Sequence, residues 1–247
     1  MILLVDVGNS NIYFGKAIDN EIIETFRLTT DVLKSADEYQ ILLREFIVRP
    51  VEAVVICSVV PVVTSILKKT FEKYYNVKPM IMGSGLKTGL KIKADDPKGV
   101  GADLIADSVA SANMCEECIV VDLGTATKFL YVKDHTLEGV IIAPGVAVST
   151  KAMISHAALL PNIELVAPKK VINNSTIPCM QSGVIYGFAA MIDGVIRRMK
   201  KELNKTDIKV IATGGLAKLI IPQCCETIGF DEDLILKGLL DIYKRNI

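Results

Sequence analysis

"IVVDLGTATKFLYV", residues 119–132, carries an apolar run from Ile119 to Val121 that ends on Asp122. Gly124, Thr125 and Thr127 follow, then Lys128 and Leu130. The apolar run reads as a buried strand, and the Gly-containing stretch as a turn into a second strand, "TKFLYVKD". The N-terminus does the same. "MILLVDVGNSNIYFG", residues 1–15, runs through apolar residues to Asp6, turns at Gly8 and continues as "NIYFGKAI". Aligning Asp6 with Asp122 also aligns Gly8 with Gly124 and Asn9 with Thr125, an offset of 116 residues in a chain of 247.

The pattern extends outward from both turns. "EIIETFRLTT" and "LEGVIIAPG" each read as a third strand. Helical spacing follows in "SADEYQILLREFIV", with Ser35 as N-cap, and in "VVTSILKKTFEKYY", with Pro61 near its start. "VEAVVICSVV" and "KPMIMG" are strands between and after them. "KTGLKIKADDPKGVGAD" reads as a polar loop leading into the helix "LIADSVASANMC". In the second half, "VAVSTKAMISHAAL" and "PCMQSGVIYGFAAMIDGVIRRMKKEL" are helices, "IKVIATGG" is a strand ending in a Gly pair, and "LILKGLLDIYKRN" is a terminal helix. Strand, acidic turn, strand, strand, helix thus occurs twice. Duplicated α/β domains with a cleft between them are the implied architecture. The division falls where the strand pattern restarts, giving residues 1–113 and 114–247. The terminal helix is free to pack back on the first half.

Composition narrows the function classes. Lys plus Arg and Asp plus Glu both count 28, a balance that predicts no nucleic-acid partner. No apolar run reaches the roughly 18 residues of a membrane span, and no basic segment opens the chain, so a cytoplasmic location is expected. Of the six cysteines, Cys115 and Cys118 form a lone CxxC. Zinc would need a second ligand pair, so these thiols read as incidental.

Either acidic turn alone reads equally as a surface hairpin, with Asp and Gly there for backbone reasons. Two copies at half-chain spacing favour chemistry. Short turns of Gly, Asn and Thr let backbone N–H groups and small hydroxyls approach phosphate oxygens. A strand-end Asp can hold a hydrated cation against polyphosphate charge. "VIATGGLAKLI" adds a Gly-Gly turn against which a nucleoside could lie, or a plain strand-to-helix turn. In "GVGADLIAD", Asp103 falls in the first turn of a helix. It reads either as a dipole-stabilising acid or as a base facing an acceptor hydroxyl.

"DVGNSN", "SVVP", "GADLIA", "DLGTAT", "APG", "MQSGVIYG", "ATGG" and "LKGL" occur in the order found in type III pantothenate kinases, which the chain resembles over nearly its full length. The resemblance implies two duplicated ribonuclease-H-like (actin-like ATPase) domains with a nucleotide cleft between them. It implies ATP-dependent phosphorylation of pantothenate, with magnesium and a monovalent cation, potassium or ammonium, in a homodimer. By residue match, Asp6, Val7, Gly8, Asn9, Ser10, Asn11, Ile12 and Tyr13 line the ATP phosphates, and Thr125 touches ATP. Asp103 is the proton acceptor. Gly101, Ala102, Asp103 and Leu104 line the pantothenate pocket, completed by Thr176 of the partner subunit. Asp122 ligates the monovalent cation.

The chain departs from the family pattern at several places. Leu104 replaces the arginine of GADR, and Ala94 stands where the family has a tyrosine ahead of an Asn-Pro step. DFGTATTFD becomes DLGTATKFL, so Lys128 and Leu130 replace threonine and aspartate. Lys128 reads either as a solvated strand lysine or as a positive charge reaching the cleft. The alternative to an active pantothenate kinase is a divergent paralogue, acting on another acceptor or as a nucleotide-binding regulatory protein.

Overall fold

The structure, a computed structural model, describes residues 1–83 and 85–247, with Lys98 described by its backbone alone. The chain forms two compact units. The first runs from Met1 to Met114, one residue past the division drawn from the sequence, and also takes His135–Leu137 and Asp233–Ile247. It contains β1 (Ile2–Val7), β2 (Asn11–Ile18), β3 (Glu21–Thr29), α1 (Ala36–Leu43), β4 (Ala53–Ser58), α2 (Pro61–Tyr74), β5 (Met80–Ile81), β6 (Lys91–Ile92) and α3 (Ala102–Met114). The second unit holds β7 (Glu117–Leu123), β8 (Ala126–Lys133), most of β9 (Thr136–Pro144), α4 (Val146–His156), α5 (Thr176–Glu202), β10 (Lys209–Thr213), α6 (Ala217–Ile220) and β11 (Gly229–Phe230). The last helix, α7 (Leu234–Lys244), returns to the first unit.

The duplication is visible in the sheets. The first has the order β3-β2-β1-β4-β5, and the second contains β9-β8-β7-β10-β11, the same order strand for strand. In each, a strand pairs antiparallel with its hairpin partner on one side and parallel with a later strand on the other. Parallel neighbours need a crossover, which the intervening helices supply. The β2–β3 and β8–β9 hairpins even share a turn device. Asp19 and Asn20 in one, and Asp134 and His135 in the other, all take positive φ. That is the geometry of a two-residue hairpin turn, where Asp and Asn are tolerated best.

Period-2 alternation divides the first unit's core. Leu3, Val5 and Val7 of β1 face one way, packed with Tyr39, Leu43, Leu67 and Phe71 of α1 and α2. Leu4 faces the other way, with Tyr13, Val55 and Cys57, and is covered by Ala106 of α3 and by Leu236, Leu239 and Leu240 of α7. Ser35 caps α1, as its sequence suggests, and does so in a reciprocal box with Glu38. In the second unit, Ile119, Val121 and Leu123 of β7 pack against Val184, Ile185, Ile192 and Ile196 of α5. By length and composition α5 is apolar enough to cross a membrane, unlike any run counted in the sequence; half of its apolar window is buried inside the protein.

Two elements escaped the sequence reading. Strands β5, β6 and β11 have two residues each, too short to show a period, and only the first was anticipated. The polar loop before α3 contains β6, which pairs with Thr136 and Leu137 at the start of β9.

The docking of α7 under β1 and β2 is an apolar anchor. Leu236 is fully buried. We expect Leu236→Ala to cost about 2–5 kcal/mol of unfolding free energy, measured by urea titration, because the site cannot collapse between two sheet strands and α3.

Candidate active site

The first unit's acidic turn is tightly pinned. The Gly8 amide donates to the Asn11 carbonyl at 3.0 Å. Thr30 holds the turn from β3's end: its hydroxyl donates to the Gly8 carbonyl at 2.6 Å and its amide to the Ser10 carbonyl at 3.0 Å. The side chains of Asn9, Ser10 and Asn11 are left exposed at the tip. Val7 and Ile12 are fully buried, so any contact they make to a ligand is through backbone. Tyr13 is also occupied. Its hydroxyl donates to Asp233, and the Arg27 guanidinium stacks on its ring at 3.8 Å. Burial first, and the Asp233 carboxylate second, push its hydroxyl up to about 12.

Asp6 stands directly opposite Tyr13 on β2 and Cys57 on β4. Cross-strand partners share a face, so Asp6 projects from the sheet face that α3 and α7 cover. Asp103 lies in the first turn of α3, whose opening is set by the Ile105 amide donating to the Gly101 carbonyl at 3.2 Å. One carboxylate oxygen of Asp103 accepts from the Leu104 amide at 2.9 Å. Gly101, Ala102 and Asp103 are half-buried, whereas Leu104 is packed inside at 8% exposure. The leucine in the family's arginine position is a core side chain here.

In the second unit three strand ends converge on Asp122. Asp122 on β7 is in register with Lys128 on β8 and with Thr213 on β10. Gly145 begins α4 so close to the β7–β8 turn that an added Cβ would lie 2.1 Å from the Thr125 carbonyl oxygen. Gly214, just after β10, has φ +95, and an added Cβ would come within 2.7 Å of Asp122 Oδ1. Only glycine fits that backbone. Thr125 is exposed at the tip, beside the α4 N-terminus, whose amides favour an anion. Thr176 is the exposed first residue of α5.

Lys128 corrects the sequence reading. Its ammonium sits 2.6 Å from Asp122 Oδ2, and the two side chains are only 14% and 13% exposed. It is therefore not a solvated strand lysine. The reason is a turn one residue shorter than its counterpart. Val7 pairs with Ile12, but Leu123 pairs with Thr127. Past the turn the offset between halves falls from 116 to 115, and Lys128 stands opposite Asp122 as Tyr13 stands opposite Asp6. The carboxylate expected to ligate potassium or ammonium is held in an ion pair of the protein's own. Its Oδ2 faces the ammonium and its Oδ1 the Gly214 backbone, so the residues present do not fit a free monovalent ion there. Leu130, opposite Val120, is fully buried; the family's second aspartate position lies in apolar interior.

The family model for type III pantothenate kinase matches residues 2–198. This chain belongs to the type III pantothenate kinase family. A type III pantothenate kinase of Acholeplasma laidlawii (strain PG-8A) is 47% identical, and one of Halalkalibacterium halodurans 44%, each over 100% of both chains. Among solved structures, a Sinorhizobium meliloti protein described as a 2-dehydro-3-deoxygalactonokinase superposes with TM-score 0.60 at 11% identity, covering 99% of this chain and 98% of that one. That likeness supports the fold, two ribonuclease-H-like domains of the actin-like ATPase kind. Of the stretches that match the family, "DLGTAT" and "ATGG" meet at Asp122, and "APG" brings Gly145 against the Thr125 turn. The family's "DVGNSN" and "GADLIA" motifs carry Asp6 and Asp103 on one face of the first unit's sheet. The Asp122–Lys128 pair was accessible from hairpin register alone. The Tyr13–Asp233 contact has no local signal, since 220 residues separate the partners.

Two outcomes follow from this geometry. Gly214→Ala should lower unfolding free energy by about 1–3 kcal/mol through backbone strain. Gly215→Ala, whose added Cβ meets nothing within 4 Å, should change it by less than about 0.5 kcal/mol; paired urea melts compare them. Tyr13 titrates higher folded than its ordinary 10.0, so the folded protein holds that proton longer. Its contribution to stability is full below pH about 10 and is lost as pH rises toward about 12. Stability measured across that window should decline, and Tyr13→Phe should flatten part of the decline.

Proposed function

We propose that this chain is a type III pantothenate kinase, transferring the γ-phosphoryl group of ATP to pantothenate to give 4'-phosphopantothenate, the first step of coenzyme A biosynthesis. The observation that carries the reading is full-length identity of 47% and 44% to two type III pantothenate kinases. In the step itself, the acceptor hydroxyl oxygen bonds to the γ-phosphorus and the bond from that phosphorus to the β–γ bridging oxygen breaks. ADP leaves, and the hydroxyl proton goes to Asp103.

Phosphoryl transfer asks a protein chiefly for positioning and charge neutralisation. The turn from Asp6 to Tyr13 and the exposed Thr125 would hold ATP, with Val7 and Ile12 acting through backbone. Asp6 would orient magnesium, which takes most of its ligands from phosphates and water and needs few carboxylates. Among the described residues no group of three or more His, Cys, Asp or Glu forms a separate metal cage. Gly101, Ala102, Asp103 and the Leu104 backbone would line the acceptor pocket. Thr176 would close it from the partner subunit of a homodimer. Support for a second copy comes from β9, where Val140, Ile141 and Ile142 are successive exposed apolar residues. We place the enzyme in the cytoplasm.

Pantothenate-dependent ADP release with ATP and magnesium tests the reading. Asp103→Asn should reduce turnover by about 10²–10⁴-fold, while calorimetric ATP binding persists. ATP binding without pantothenate-dependent turnover in the unaltered protein would point instead to another acceptor or a regulatory role.

A further inference from the structure

We propose that Lys128 is the resident cation of the Asp122 site, so that this chain binds ATP and turns over without an added monovalent cation. The proposal rests on the kinase reading only in placing Asp122 beside the bound nucleotide.

Three observations on this chain carry it. The first is register. Asp122 and Lys128 are directly opposed on antiparallel strands, so both side chains leave the same sheet face as neighbours. No long reach is needed for them to meet. The second is enclosure. At 14% and 13% exposure, with N–O 2.6 Å, the pair is far less open to solvent screening than a surface bridge. The third is the other edge of the carboxylate. Oδ1 lies against Gly214, where even one added carbon would stand 2.7 Å away. Oδ2 is therefore taken by the ammonium, and the Gly214 backbone narrows the approach to Oδ1.

A half-buried carboxylate beside a polyphosphate would repel it and needs a compensating positive charge. A potassium ion, an ammonium ion and a lysine ammonium all bring one unit charge to the same oxygen. The lysine brings it covalently, at a fixed position and at no dependence on solution composition. A free ion would have to displace that ammonium from a partly desolvated site and leave it without a counter-charge, which is unfavourable. The short β7–β8 turn makes the substitution possible, because one more residue would move position 128 out of register with Asp122.

The test compares the unaltered protein, Lys128→Thr and Lys128→Arg in buffers free of potassium and ammonium, with choline chloride holding ionic strength constant. ADP is read by chromatography, so no cation-requiring coupling enzyme is present. We expect the unaltered protein to change by less than about two-fold when about 100 mM choline is exchanged for potassium, since only general screening remains. Lys128→Thr should become potassium-dependent, with at least about ten-fold stimulation. Lys128→Arg should stay indifferent to potassium. Calorimetric ATP affinity should follow the same pattern, and this readout stands even if pantothenate proves not to be the acceptor. Potassium stimulation of the unaltered protein would overturn the proposal, as would a folded Lys128→Thr that binds ATP equally with and without potassium. If Lys128→Thr does not fold, the potassium response of the unaltered protein decides alone. Absence of ATP binding in every salt would overturn the proposal together with the kinase reading, whereas ATP binding without turnover would remove only the acceptor assignment.

Discussion

A strand buried on both faces can carry a carboxylate only at its end, where the sheet opens into a turn and the charge finds partners. Both sheets of this protein obey that constraint at the same strand. Strands β1 and β7 are flanked on both sides, and their interior residues, Leu3 to Val5 and Cys118 to Val121, are fully buried. Each then places Asp next to last, ahead of a turn containing Gly. The parallel neighbour, β4 or β10, ends level with the carboxylate, and the helix after it begins beside the turn.

Much of this was legible in the residues because it is local. Apolar runs ending in acids, turn glycines, the Ser35 cap and Pro61 each act within a few positions, and each formed the element its chemistry favours. The duplication was legible because both copies retain the same strand-end acid. What escaped was set by distance or by length. Two-residue strands have no periodicity to read. That α7 packs back on the first unit was left open by the sequence; it depends on Leu236 and Leu239 meeting Leu4 and Ala106, which no spacing within α7 announces. The ion pair at Asp122 lies between these extremes. Its partners are six positions apart, but seeing it required knowing that the second turn is one residue shorter than the first.

Three of the departures from the family pattern, Leu104, Leu130 and Lys128, sort into two physical kinds. Leu104 and Leu130 are interior side chains, at 8% and 0% exposure. At those sites apolar residues satisfy the burial that the surrounding strands and helix impose, and a charge would need its own partner. Lys128 is different in kind. It introduces a charge where the family carries a neutral hydroxyl, and the structure gives that charge a carboxylate at contact distance. Counting all substitutions together as erosion of a site therefore misreads them. Two adjust packing, and one rewires electrostatics.

The two halves show how far one inherited position can diverge. Tyr13 and Lys128 occupy equivalent places, each opposite the strand-end aspartate of its own sheet. Tyr13 turns to Asp233 and Arg27 and leaves Asp6 to other partners; its hydroxyl is held neutral by burial. Lys128 turns to the aspartate itself. The difference follows from what each side chain can do at the same spot. A tyrosine at that spot donates one hydrogen bond, here to Asp233, and adds no charge. A lysine brings a positive charge to within 2.6 Å of Asp122, the contact on which the proposal for that strand end rests. The same duplicated position thus carries a neutral donor in one half and a cation in the other.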